Sequence, residues 1–228
     1  ASLRGLVEAS GIASELEPAG QGSLRYVVLR ANHAGQVLGT LVTRKPDFAH
    51  LARLAEDLRR LHPELVGVVQ NVNDSPGDAI LGAEEHLVTG QSFLEERIGG
   101  LALRLSSRSF FQVNRHIAAL AYRHIEQAAG PGRMGQVVDV YAGSGGISLT
   151  LAPLAQDVLG IEENPAATKD AETAAARAGA TNVRLVTGKA EHCLETVESA
   201  DVVVLNPPRK GCEPQVLAAT CRLRPRLV

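Results

Sequence analysis

Between Val137 and Ile147 the chain reads V-V-D-V-Y-A-G-S-G-G-I. β-compatible residues run as far as Tyr141. The side chains then shrink to Ala142-Gly143-Ser144-Gly145-Gly146 before a helical pattern resumes at Ile147, Leu149, Leu151 and Leu154. This is the signature of a strand, a tight glycine turn and a helix, and it commits this part of the chain to an α/β fold. Glycines let the backbone adopt positive φ and approach a ligand closely, while a helix start leaves N–H groups without intrahelical partners. In a doubly wound sheet the turn after the first strand opens into the ligand crevice. Asp139, Tyr141, Gly143, Ser144, Gly145 and Gly146 are therefore expected to form a binding site.

Spacing narrows the ligand. A dinucleotide fingerprint would place a third glycine at Ser148, and a phosphate-binding P-loop would need a Gly-Lys-Ser/Thr ending that this turn lacks. A second acidic residue, Glu162, ends the next strand, V-L-G-I-E. Its carboxylate can accept both hydroxyls of a ribose, each such hydrogen bond contributing roughly 1.5–3 kcal/mol. The arrangement resembles the Rossmann-like S-adenosylmethionine-dependent methyltransferases, which implies S-adenosyl-L-methionine as cofactor.

The 228 residues, 45 % of them hydrophobic, suffice for two unequal units. The expected division is a small α+β domain over 1–105 and an α/β domain over 106–228. A net charge of −2 gives no overall basic character, so any nucleic-acid partner is met by local cations. Cys193, Cys212 and Cys221 lack C-x-x-C spacing, which argues for a reducing cytoplasm and against a metal or iron–sulfur site. No apolar run reaches the ~18 residues of a membrane span, and the first residues carry no signal-peptide pattern.

In the first half, residues 1–22 read as a short helix or loop. Leu24–Arg30 and Gln36–Thr43 form a hairpin, Pro46–Leu61 an amphipathic helix, and Leu65–Asn73 a strand. Short strands are expected near Ala79–Leu81, His86–Thr89, Phe93–Ile98 and Leu101–Leu105. His33 and His86 stand alone and read as surface or hydrogen-bonded residues. The junction reads S-S-R-S-F-F-Q-V-N from Ser106 to Asn114, and a helix follows from Ile117 to Ala129. By themselves Phe110 and Phe111 read as a packed aromatic pair.

Beyond the glycine turn, strand and helix alternate: helix Pro165–Ala178 closed by Gly179, strand Asn182–Thr187, and the apolar strand Ala200–Leu205. The last ends in N-P-P-R-K-G, from Asn206 to Gly211. Paired prolines fix an extended turn that aims Asn206 into the crevice. Methyltransferases acting on exocyclic nitrogens carry an aromatic residue where this chain has Arg209, which disfavours that chemistry.

The blocks Ser109–Asn114, Asp139–Gly146, Gly160–Glu162 and Asn206–Gly211, in this order and spacing, resemble the RNA (uracil-5-)-methyltransferase family, most closely its 23S rRNA branch. The resemblance is strong over residues 90–228 and weaker over the preceding α+β unit. It implies methyl transfer from S-adenosylmethionine to C5 of a uridine, with 23S rRNA as the first expected partner and tRNA the second. It further implies Gln112, Tyr141 and Glu162 at the cofactor, Asn206 at the cofactor's methionine end, Phe110 near the target base and Arg209 at the substrate. In this family a cysteine thiolate adds to uracil C6 so that C5 can attack the methyl group, and the base leaves its stack to be reached.

The departures are specific. The family nucleophile lies in a Ser-Cys-Asn-Pro block one strand after N-P-P-R, and Leu223–Val228 stand where that strand is expected to begin. The nucleophile, the final base, the amino-terminal oligonucleotide-binding domain and the cluster cysteines are thus expected outside these residues, leaving the chain as given inactive alone. Lys189 stands where relatives carry an acid or amide, and Asn206 where other branches carry aspartate. Cys212 follows the wrong strand to replace the nucleophile. The remaining readings are an amino-methyltransferase and a non-catalytic RNA- or protein-binding module.

Overall fold

In the computed structural model, which describes residues 3–10, 23–46, 48–109, 114–130 and 132–228, the chain divides into two units, Ala1–Leu94 and Glu95–Val228. The first unit runs α1 (Leu3–Ser10), β1 (Leu24–Ala31), β2 (Val37–Thr43), α2 (Phe48–Leu61), β3 (Leu65–Val72) and β4 (Glu84–Gly90). Its sheet has the order β1-β2-β3-β4. β1 and β2 pair antiparallel, while β2 and β3 pair parallel because α2 crosses between them. The helix stripe Leu51, Leu54, Ala55 and Leu58 packs on Leu24, Leu41, Leu65 and Val68 from the sheet.

The strand expected near Ala79–Leu81 does not form. The Asn73 amide donates to the carbonyls of Ala79 and Ile80 at 2.6 and 3.1 Å, and the Asn71 side chain pairs in both directions with the backbone of Gly82. Backbone groups that a sheet ladder would need are held instead by two asparagine side chains.

The division between units falls inside β5 (Phe93–Ile98), ahead of the expected 105/106. Leu94 packs with Leu38 and Val69 of the first unit. On β6 (Leu101–Ser106), Leu103 and Leu105 pack with Leu149, Ala174 and Ala175 of the second.

The second unit continues with α3 (Arg115–Ala129), β7 (Met134–Val140), α4 (Gly146–Leu151), β8 (Ala155–Glu162) and α5 (Pro165–Ala178). Then follow β9 (Val183–Thr187), α6 (Ala190–Glu195), β10 (Val202–Leu205) and α7 (Pro214–Leu223). The sheet is wholly parallel, in the order β10-β7-β8-β9. Side-chain alternation sends Val138, Val140, Leu159 and Ile161 to a core that includes Leu194 of α6 and Val216 of α7. It sends Val137, Val158 and Val202 to the opposite core with Ile147 and Leu151 of α4. Both faces are covered, as the uninterrupted apolar strands require. α5 takes the bounds its sequence dictates: Asn164 caps Ala166 N–H at 3.0 Å, Pro165 opens the first turn, and Gly179 closes it at φ 65°.

Candidate active site

Chain order runs outward from β7 through β8 to β9 and then returns to place β10 on the other side of β7. The carboxyl ends of β7 and β10 therefore flank the topological switch point, where side loops diverge and leave a crevice. Register makes this concrete. Leu205 pairs with Val140 and Val140 with Ile161, so the next residues, Asn206, Tyr141 and Glu162, emerge in one row. They line a cleft of about 980 Å³ together with Asn114, Tyr122, Gly143, Ser144 and Arg209, a volume in the range of small-molecule sites.

Glu162 is the best-positioned group. The Gly143 N–H donates to its Oε2 at 2.8 Å, and the Asn164 N–H donates to its Oε1 at 2.7 Å. One backbone donor on each oxygen locks the carboxylate in place and leaves each oxygen a further lone pair. Such a carboxylate can accept two adjacent hydroxyls. Tyr141, which leaves β7 with φ 68°, takes a left-handed conformation that is strained for a residue with a bulky side chain. Burial, followed by the influence of the neighbouring Cys212, pushes its phenol up to about 12, so it stays protonated at neutral pH. At the mouth of the cleft the Lys210 ammonium donates to Glu213 at 2.8 Å. This raises the lysine and lowers the glutamate from their ordinary values.

Asp139 and Gly145 lie behind this lining. Asp139 is fully buried, its Oδ2 accepting from the Ser148 hydroxyl at 2.7 Å while Oδ1 has no partner among the described residues. Desolvation pushes its carboxyl up to about 7, against the lowering effect of Ser148. It faces inward because Ser148, on the first turn of α4, offers the nearest donor. Gly145 adopts φ 84°, and a Cβ there would come within 2.9 Å of the Ala171 Cβ. Gly145→Ala is expected to lower the unfolding free energy by about 1–3 kcal/mol, combining left-handed strain with a clash. Gly179→Ala, at φ 65° with open space around it, is expected to cost only about 1 kcal/mol. Equal losses in urea unfolding would show that the Ala171 contact is immaterial.

Phe110 and Gln112 lie outside the described residues. Of the other expected residues, Tyr141, Gly143, Ser144, Gly146, Glu162, Asn206 and Arg209 come together in the cleft. Sequence reasoning did not single out Tyr122, whose hydroxyl would lie 2.1 Å from a Cβ placed on Gly146. Burial and then Asp139 push that phenol up to about 12. Nothing in the helical pattern of α3 distinguished it from a core residue. Nor did sequence reasoning single out Asn164, which caps α5 and donates to the Arg108 carbonyl.

Residues 133–224 match the family model described as a methyltransferase domain. The chain is 41 % identical over 203 residues to an uncharacterized RNA methyltransferase of Geobacter sulfurreducens, covering 87 % of this chain and 41 % of that one. It is 33 % identical over 230 residues to an uncharacterized RNA methyltransferase of Oceanobacillus iheyensis, covering 99 % of this chain and 50 % of the relative. The chain thus spans about half the length of these relatives. Among solved structures it is similar to the Pyrococcus abyssi tRNA (uracil-54, C5)-methyltransferase in complex with S-adenosyl-L-homocysteine. That match has a TM-score of 0.75 at 23 % identity, over 99 % of this chain and 54 % of that one. The parallel sheet, the glycine turn at its switch point and these likenesses give the second unit the Rossmann-like methyltransferase fold.

Proposed function

We propose that the protein transfers a methyl group from S-adenosyl-L-methionine to C5 of a uridine in RNA, with 23S rRNA as the substrate and tRNA as the second candidate. The observation that carries the cofactor assignment is the Glu162 carboxylate, held by two backbone donors on the cleft floor with a lone pair free on each oxygen. The cleft volume and the close-packed glycine turn fit an adenosine bearing an amino-acid arm. When bound, the cofactor supplies an electrophilic methyl group on a positively charged sulfur.

This chain's residues do the holding. Glu162 accepts the ribose hydroxyls, Tyr141 lies along the adenosine, and Asn206 sits at the methionine end. Arg209, exposed at the cleft mouth, meets the RNA. Relatives named as RNA methyltransferases and a neighbour named as a uracil C5 enzyme support RNA as the substrate class.

Uracil C5 becomes a nucleophile only after a thiolate adds to C6, so a cysteine is required. Cys193 packs against the apolar core, and burial with nearby Glu191 raises its thiol. Cys221 is exposed on α7, and neither it nor Cys212 lines the cleft. On this reading the nucleophile is the cysteine that the family resemblance places outside residues 1–228.

Residues 1–228 incubated with methyl-labelled cofactor and unmodified 23S rRNA are expected to leave the RNA unlabelled. The whole protein, at the length of its relatives, is expected to yield labelled 5-methyluridine and to keep this activity in Cys212→Ala. Labelled N6-methyladenosine would replace this reading with an amino-methyltransferase. Loss of 5-methyluridine in Cys212→Ala would return the nucleophile to this chain.

A further inference from the structure

Asp170 lies on α5 with 2 % of its surface exposed, on a helix face otherwise made of alanines and Thr168. It does not line the cleft. Its Oδ1 accepts from Arg104 Nε at 2.8 Å, and its Oδ2 accepts from the Ser106 N–H at 2.7 Å and the Ser109 hydroxyl at 2.5 Å. The hydroxyls of Ser106 and Ser109 are themselves 2.8 Å apart. A buried carboxylate is costly unless it is paired and hydrogen-bonded, and here every bond of that set goes to one short strap, Arg104–Ser109.

A second attachment lies at the N-cap of the same helix. The Asn164 amide donates to the Arg108 carbonyl at 2.8 Å, while its Oδ1 caps α5 and its backbone N–H holds Glu162. The hydrogen bonds thus form one line from the Gly143 N–H, through Glu162 and Asn164, to the strap. In sequence the strap precedes Phe110 and Gln112, and Asn114 beyond them lines the cleft.

We propose that Asn164 and Asp170 are positioning residues that hold the Arg104–Ser109 strap to α5, and that Asn164 couples the strap to occupancy of Glu162. The coupling rests on the reading of Glu162 as the ribose carboxylate; the anchoring does not. Ribose hydroxyls bound to Glu162 reinforce the hold that the Gly143 and Asn164 N–H groups already place on its carboxylate, which steadies the Asn164 backbone and with it the donor to Arg108.

Asn164→Asp separates this role from helix capping. Aspartate caps a helix as well as asparagine does, but it faces the Arg108 carbonyl with an acceptor in place of a donor. Trypsin cleavage at the Arg108–Ser109 bond reads the strap directly, since a held peptide must open before it is cut. Without ligand, Asn164→Asp is expected to be cut at this bond at least fivefold faster than wild type, with Tm changed by less than about 2 °C because the cap is kept. Asp170→Asn is expected to accelerate the same cut, accompanied by a lower Tm.

Saturating S-adenosylhomocysteine should slow the cut severalfold in wild type and not in Asn164→Asp. An unchanged cleavage rate in Asn164→Asp would overturn the anchoring. Equal protection of both proteins by S-adenosylhomocysteine would overturn the coupling. Absence of S-adenosylhomocysteine binding to wild type in calorimetry would overturn the cofactor reading and the coupling that rests on it, while the ligand-free cleavage rates would still decide the anchoring.

Discussion

Glu162→Gln is expected to weaken S-adenosylhomocysteine binding by about 30- to 1000-fold, the loss of about 2–4 kcal/mol when charge-assisted hydrogen bonds to a ribose are removed. The substitution is nearly isosteric, but it does not conserve the site. Both carboxylate oxygens already accept a backbone N–H, from Gly143 and from Asn164. A glutamine can present only one oxygen to these two donors, so its amide nitrogen must meet a second N–H. The side chain then turns away, and both ribose acceptors are lost together. Calorimetric titration of wild type and variant measures the change. An affinity within threefold of wild type would remove Glu162 from the cofactor site, whatever else the cleft binds.

Asp139→Asn is expected to stabilise the second unit fully at pH 8, only in part at pH 5, and little at pH 4 or below. The sign follows from linkage. The folded carboxyl titrates at about 7 and its ordinary value is 3.8, so between these values the unfolded chain has released a proton that the folded chain retains. Stability therefore falls as pH rises from about 4 to about 7, and the full penalty is present above that range. For a fully buried group with one oxygen unpartnered the penalty is on the order of 2–4 kcal/mol. Asparagine carries no charge to desolvate and can keep its acceptor toward Ser148. The measurement is thermal unfolding of both proteins across this pH range. A Tm difference that does not grow from pH 5 to pH 8 would mean that Asp139 does not titrate in the fold.

Local chemistry determined much of this protein from sequence alone. The helix over Pro165–Ala178 ends where its glycine requires, and the apolar run at Val202–Leu205 reads as a buried parallel strand because no polar residue interrupts it. The alternation of strand and helix set the layers, and the strand ends carrying Asn206, Tyr141 and Glu162 were legible as a crevice edge. Only the tertiary structure decided what depends on partners far apart in the chain. The loop at Ala79–Leu81 resembles a strand until Asn71 and Asn73 capture its backbone. Asp139 shares its motif with the residues lining the cleft, yet it turns inward to a serine on the next helix. Asp170 looks like a solvated charge on an alanine-rich helix, and it is buried because Ser106 and Ser109, 64 and 61 residues earlier, fold onto it. Periodicity and turn chemistry act over a few residues, whereas the satisfaction of a buried polar group is decided by whatever the packed chain brings within hydrogen-bonding distance.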